Sequence, residues 1–77
     1  MNGTLQELKK GESAVVLKVD ESLSCRRRLE ELGFLPGETV RCALTSPLGW
    51  PHAYHVMGGV VALRKSEAEG IFITKIG

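Results

Sequence analysis

The segment from residue 24 to residue 37, "SCRRRLEELGFLPG", limits the possible folds most, because it contains one helix together with the signals that end it. Cys25, Leu29 and Leu32 stand at positions i, i+4 and i+7, so they form one apolar stripe of a helix. The charged residues between them occupy the other faces. The spacing therefore predicts a single amphipathic helix of about ten residues.

Residues on both sides of this stripe mark where the helix begins and ends. Ser22 or Ser24 can accept hydrogen bonds from the first free amides of the helix. Gly33 suits the left-handed residue that follows the last turn, and Phe34 can then pack back on the helix. Pro36-Gly37 fits the central positions of a type II turn. A strand should therefore follow the helix at once.

Short segments with strand character, separated by turn signals, fill most of the remaining sequence. Two of them alternate with the period of a strand, which predicts one buried and one exposed face for each. "AYHVM", "VVALR" and "IFITKI" supply three more, and Gly58-Gly59 predicts a hairpin between the first two of these. The predicted core residues of the two alternating strands are Val15, Leu17 and Val19 in "ESAVVLKV" and Val40, Cys42 and Leu44 in "ETVRCALTS".

Two further short elements complete the predicted architecture. Leu5 and Leu8 fit one helical turn near the start of the chain. Ser66 and Glu69 stand three apart as in a capping box, with Gly70 ending that turn, and "PLGWP" is predicted to be a loop. The sequence thus predicts a mainly β fold, a small closed or half-closed antiparallel barrel of about five strands with one α-helix and a short single-turn helix.

Length and composition exclude several classes of protein. A chain of 77 residues forms one domain, residues 1–77, and 43% hydrophobic with 25% charged residues is ordinary for a globular protein. The net charge of +1 argues against a nucleic-acid partner. No apolar run approaches the ~20 residues that a membrane-spanning helix needs, and the N-terminus lacks the apolar centre of a secretory signal. We therefore expect a cytoplasmic protein without membrane insertion.

Three consecutive arginines, Arg26, Arg27 and Arg28, are the most conspicuous charged feature. On a helix they spread over about 200° of the circumference, so they cannot all face one partner. The first two each precede a glutamate by four residues, which is the less favourable order for a helical ion pair. The pattern is compatible with a solvated helix face and with a contact to a protein partner, and it fits a nucleic-acid contact less well because the other basic residues are scattered and largely matched by acids. Trp50, between two prolines, either covers the barrel or contacts a partner.

Residues with the chemistry of a catalytic or metal site are few. Cys25, Cys42, His52 and His55 could ligate a metal, but the two histidines are three apart in a strand and therefore point to opposite faces. No ligand spacing typical of a metal site is present, and the cysteines are expected to be free thiols. No nucleophile motif and no glycine-rich phosphate loop occurs. We therefore expect no enzyme activity, no cofactor and no dedicated metal site.

The ordered set "RRRLEELGFLPGETV", "SPLGWP" and "ALRKSEAEGIFI" resembles the ferrous iron transport protein A (FeoA) family, from Leu5 to Ile73. The resemblance implies an SH3-like barrel that acts as an accessory or regulatory protein of ferrous iron uptake. Its implied partner is the cytoplasmic GTP-binding part of the FeoB membrane transporter. The alternative that it implies is a transition-metal-binding or iron-sensing module, as in the C-terminal domain of iron-dependent repressors.

The positions that match the family motifs divide into two groups. Arg28 and Arg64 are the matched charged positions, while Trp50 stands where the family often has an acidic residue. The architectural positions are Leu29, Leu32, Gly33, Pro36, Gly37 and Leu63. Our candidates for binding a partner are Arg28, Phe34, Leu35, Trp50 and Arg64. Self-association through spare apolar loops is a further expectation.

Overall fold

Apolar alternation and turn residues divide the chain into strands and short helices, and the computed structural model describes residues 2–76. The strands are Asn2–Thr4 (β1), Ser13–Val19 (β2), Thr39–Ser46 (β3), Gly49–Val56 (β4), Gly59–Leu63 (β5) and Ile71–Ile76 (β6). The helices are Arg26–Leu32 (α1) and Lys65–Ala68 (α2), and a 3₁₀ turn spans Leu5–Glu7.

All neighbouring strands pair antiparallel in one sheet of order β1-β6-β2-β3-β4-β5. Helix α1 connects β2 to β3, and α2 connects β5 to β6. The predicted mainly β architecture is confirmed, although the three-residue strand β1 was not predicted and raises the number of strands to six within residues 2–76. In the same part of the chain, no helix is long and apolar enough to cross a membrane.

One hydrophobic core lies inside the curved sheet, closed by α1, α2 and the 3₁₀ turn. Leu5 and Leu8 are buried there, as the predicted helical turn requires, and Tyr54 and Phe34 are its largest fully buried side chains. The other buried hydrophobic residues are Ala14, Val16, Val19, Leu29, Val40, Cys42, Val56, Leu63, Ala68, Ile71 and Ile73.

The predicted core face of β2 is wrong at two of three positions. Ala14 and Val16 are buried, whereas Val15 is half-buried and Leu17 is exposed. A register irregularity directly after Val16 inserts an extra residue into β2. Such a bulge reverses the side-chain alternation, which returns Val19 to the core side as predicted.

A bulge also makes the predicted core face of β3 wrong at one position, Leu44. Val40 and Cys42 are buried as expected, but Leu44 is 57% exposed. A register shift lies between Cys42 and Leu44, so the strand reverses its faces there. Leu44 therefore belongs to the outer surface of the sheet.

Helix α1 begins later than predicted and has seven residues. Neither of the proposed serine caps is used. The Ser22 hydroxyl and the Ser22 N–H both bond to Asp20 Oδ1 at 2.9 Å, so Ser22 closes a local turn instead. Cys25 precedes the helix, and its carbonyl accepts the Leu29 N–H at 3.0 Å.

The end of α1 follows the prediction. Gly33 has a φ of 116°, and the Phe34 N–H reaches back to the Leu29 carbonyl at 3.1 Å. Gly37 has a φ of 89°, and the Glu38 N–H donates to the Leu35 carbonyl at 3.0 Å across Pro36-Gly37. Both the left-handed helix end and the type II turn are confirmed.

Two predicted turns lie elsewhere. The β4–β5 turn is centred on Met57 and Gly58, with φ values of 50° and 78°, and not on Gly58-Gly59. These two positive angles are those of a type I′ hairpin. Only Pro47 and Leu48 form the β3–β4 turn, because β4 already begins at Gly49 and includes most of the predicted "PLGWP" loop.

The predicted capping box of the last helix is also displaced. The carboxylate that caps α2 belongs to Glu67, whose Oε1 accepts the Arg64 N–H at 2.9 Å. The helix consequently begins at Lys65, before Ser66, and Glu69 lies at its end. The prediction was wrong because the two candidate acids are two residues apart and only tertiary packing selects between them.

Replacing Gly33 by alanine is expected to destabilise the protein more than replacing Gly37 by alanine. Both glycines have a positive φ, where an L-residue costs about 1–2 kcal/mol. A Cβ at Gly33 would also lie 2.2 Å from Met57 Cγ, whereas a Cβ at Gly37 meets nothing within 4 Å. The free energies of unfolding in urea provide the comparison. Equal losses for the two variants would contradict the close packing inferred at Gly33.

Candidate functional site

An ion pair joins the two helices at the side of the barrel. Arg28 Nη2 on α1 contacts Glu67 Oε2 on α2. The other oxygen of the same carboxylate accepts the Arg64 N–H. Glu67 thus bonds to the side chain of Arg28 and to the backbone of Arg64, the two charged positions that the sequence singled out. Because 51% of the Arg28 side chain is exposed, its remaining guanidinium N–H groups are open to further contacts.

A groove of about 530 Å³ lies between these charges and the end of β5. Arg28 and Arg64, predicted separately, are brought together on its wall. Arg64 is exposed, and within residues 2–76 its guanidinium has no ion-pair partner. The remaining lining residues are Pro51, Ala62, Leu63 and Glu67. The groove thus combines cationic side chains with a small apolar floor.

A second groove, of about 470 Å³, lies on the outer face of β3, β4 and β5. It shares Pro51 and Ala62 with the first groove and includes Leu44. Leu48 in the β3–β4 turn is 96% exposed and Val60 on β5 is 61% exposed, so the surroundings are apolar as well. The sequence did not indicate this surface, because the bulge that turns Leu44 outward depends on strand pairing.

Phe34 must be removed from the partner-binding candidates. It is completely buried, because the left-handed turn at Gly33 directs it into the core. Its neighbour Leu35 is 41% exposed and stays a prediction for contact, but it does not line either groove.

Trp50 is half-buried and packs against the core, which favours the covering role among its two alternatives. Its ring stacks on His52 with centroids 3.7 Å apart and an interplanar angle of 7°. Trp50, His52 and Tyr54 alternate along β4 and therefore share one face of the strand. Trp50 itself lines neither groove, whereas Pro51 lines both and His52 lines the second.

Tyr54 connects this aromatic row to the start of the chain. Its hydroxyl donates to the Leu5 carbonyl at 3.4 Å and lies 3.3 Å from His52 Nδ1. Burial, and to a smaller extent the nearby Cys42 thiol, raises the pKa of Tyr54 above its ordinary value. Burial likewise raises the pKa of Cys42. Both groups therefore stay neutral to higher pH in the folded protein than they do in water.

The four candidate metal ligands do not form one site. Cys42 is buried, Cys25 lies before α1, and His52 and His55 project from opposite faces of β4. Within residues 2–76, no three Cys, His, Asp or Glu side chains are grouped so that they could hold a metal ion. The donors present thus do not fit a resident metal.

The fold defines this chain as a small SH3-like domain, because solved domains of that description superimpose on nearly all of it. FeoA of Stenotrophomonas maltophilia, described as an SH3 domain protein and crystallised with zinc, is 40% identical with a TM-score of 0.80, covering 91% of this chain and 87% of that one. FeoA of Chlorobium tepidum is 35% identical with a TM-score of 0.87, covering 96% and 70%. The chain belongs to the FeoA family, whose FeoA domain matches residues 3–75.

A curated relative carries the same domain inside a much longer protein. The Fe(2+) transport protein A/Fe(2+) transporter FeoB fusion protein of Porphyromonas gingivalis is 35% identical over 72 residues. The match covers 94% of this chain and 8% of the fusion protein. ScaR with bound Zn²⁺ also superimposes, with a TM-score of 0.81, but at 24% identity this likeness concerns the fold alone.

Alkaline titration is expected to couple Tyr54 ionisation to unfolding. With a raised pKa in the folded state, Tyr54 keeps its proton after the unfolded chain has lost it, so the contribution of Tyr54 to stability is full below about pH 10 and falls as the pH rises above it. The chain has one tyrosine, so phenolate absorbance reports this residue alone. The phenolate signal should appear together with the loss of far-ultraviolet circular dichroism. A phenolate that forms near pH 10 in a folded protein would contradict burial of the hydroxyl.

Proposed function

We propose that this protein is a small accessory or regulatory protein of ferrous iron uptake that acts on the cytoplasmic side of the membrane. In this proposal it works by contact with the cytoplasmic GTP-binding part of an FeoB-type transporter, and not by catalysis. The observation that carries the proposal is the Porphyromonas gingivalis relative, in which a similar domain and a FeoB transporter share one chain. Linking two proteins in this way raises their effective concentration, which is an advantage when they contact each other.

The groove beside Arg28 and Arg64 is the surface that best supports such a contact. Arg64 is exposed, and within the described part of the chain no carboxylate pairs with its side chain. Arginine forms bidentate bonds with carboxylates and is enriched at interfaces. Next to it, Pro51 and Ala62 provide apolar contact area. The groove would therefore match an acidic surface with an apolar rim on the transporter, both in charge and in apolar contact area.

Replacing Arg64 by glutamate is expected to weaken binding to the cytoplasmic part of an FeoB-type transporter by about tenfold or more. The capping bond at this position uses the backbone N–H, so the substitution leaves the start of α2 in place. Isothermal titration calorimetry measures the affinities.

Arg27→Glu is the matched control, since Arg27 is exposed on α1 and does not line the groove. It makes the same change of charge and is expected to bind like the parent. If both variants weakened binding equally, the loss would come from the overall charge and not from the groove. If Arg64→Glu bound as tightly as the parent, the groove would be excluded as the binding surface. If the parent protein did not bind, the transporter would be excluded as its partner.

A metal-binding module is the second candidate function. The zinc complex of the Stenotrophomonas maltophilia protein favours it, since that relative is 40% identical. The dispersed positions of Cys25, His52 and His55 in this chain speak against it. Anaerobic titration with ferrous iron is therefore expected to show no stoichiometric binding. A one-to-one complex that is lost in a His52→Ala or a His55→Ala variant would support the second candidate instead.

A further inference from the structure

Strand β5 leaves one edge of the sheet open. It stands last in the strand order, so β4 is its single neighbour within residues 2–76. Its sequence, "GVVAL", contains no charged residue and no proline. Natural proteins usually protect a strand edge with such residues, because unpaired N–H and C=O groups bind other strands. Strand β5 itself contains neither kind of protecting residue.

The outward-facing groups on this edge can be identified from the hairpin register. The two-residue turn makes Val56 and Gly59 the pair that closes the hairpin, so alternate pairs beyond it exchange hydrogen bonds. Val61 and Leu63 therefore bond to β4. Val60 and Ala62 direct their N–H and C=O groups away from the sheet. Within residues 2–76, neither has a hydrogen bond outside the sheet, and both are exposed.

Positive charge is concentrated where this edge ends. Arg64 and Lys65 follow Leu63 directly, and both are exposed. Among the described residues, neither takes part in an ion pair. Arg28 lies across the adjoining groove, where a single carboxylate, Glu67, already binds it. A partner that pairs with β5 would therefore meet uncompensated cations at one end.

This charge distribution selects among the strands that could pair with the edge. A second copy of this chain, joined edge to edge, presents no carboxylate, because neither β5 nor the Met57-Gly58 turn contains one. Both copies would keep their cations unmatched. An acidic segment of another protein matches them, so the charge favours a different partner.

We propose that the β5 edge captures an extended acidic segment of a partner protein as an added antiparallel strand. Backbone hydrogen bonds to Val60 and Ala62 supply affinity, and a carboxylate at the N-terminal end of the added strand reaches Arg64. Small apolar side chains of the segment lie beside Val60, whose side chain is 61% exposed. This inference rests on the proposed function only in taking the partner to be the transporter.

The test uses two probes against the full chain. One is the cytoplasmic part of an FeoB-type transporter. The other is the synthetic peptide acetyl-Glu-Glu-Val-Thr-Val-Thr-Val-amide, with a version that has lysines in place of its glutamates as control. Amide hydrogen exchange of Val60 and Ala62, followed by nuclear magnetic resonance, reports the edge directly. Both probes are expected to slow exchange at these two amides, and the acidic peptide is expected to bind more tightly than the lysine version.

A pair of variants tests the same bonds independently. Ala62→Pro removes the outward N–H without removing a bond to β4, and edge strands tolerate proline. Ala62→Ser keeps that N–H and is the matched control. The proline variant is expected to bind the transporter part at least about tenfold more weakly than the serine variant. The exchange measurement on the parent chain needs neither variant to fold.

The outcomes separate this inference from the proposed function. Transporter binding with unchanged exchange at Val60 and Ala62, and with equal affinity of the two variants, overturns edge capture and leaves the proposed function intact. Protection by the acidic peptide without any transporter binding supports the edge and overturns the proposed partner. If neither probe protects the two amides, or if the lysine peptide binds as well as the acidic one, the inference is wrong.

Discussion

The close contact between the end of α1 and the β4–β5 turn holds the domain together at Gly33. A side chain there would overlap Met57 and approach Val56, so the helix and the hairpin touch through a residue that has none. The same residue turns the chain so that Phe34 enters the core. The Gly37 N–H then bonds to the Val16 carbonyl at 2.9 Å, which attaches the following turn to β2. Helix α1 and the β4–β5 turn thus meet at Gly33, and the turn at Gly37 joins this region to β2.

Features that depend on local backbone geometry could be predicted from the sequence. The helix end at Gly33 and the Pro36-Gly37 turn follow from φ angles that these residue types favour wherever they occur. The strands with clear alternation also had the right positions. The cap at Ser22 failed because Asp20, two residues earlier, competes for the same serine, and sequence spacing does not decide between the two bonds.

The two bulges explain most of what the sequence could not reveal about the surface. Each inserts one residue into a strand, in β2 after Val16 and in β3 after Cys42, and each reverses the faces beyond it. Which residue is left over depends on the partner strand, and partner strands are distant in sequence. Leu17 and Leu44 therefore looked like core residues in a regular alternation, but they are 41% and 57% exposed.

The sequence predicted individual residues of the candidate site, but it did not predict that they lie together. Arg28 and Arg64 come from different elements, and Glu67, which the sequence did not single out, brings them together. One carboxylate with 16% of its side chain exposed cannot neutralise two guanidinium groups. The pair consequently leaves excess positive charge in a chain whose overall charge is only +1. A nearly neutral composition can therefore coexist with a locally cationic groove.

The two edges of the sheet differ in length and in the charged groups beside them. At the β1 edge, the strand has three residues and passes at once into a 3₁₀ turn, where Glu7 Oε2 accepts the Thr4 N–H at 2.9 Å. That bond ends the edge with a charged side chain. The β5 edge has five residues, is wholly apolar, and ends beside cations instead. Because an open edge invites aggregation, its retention beside the groove is easiest to explain if a partner covers it.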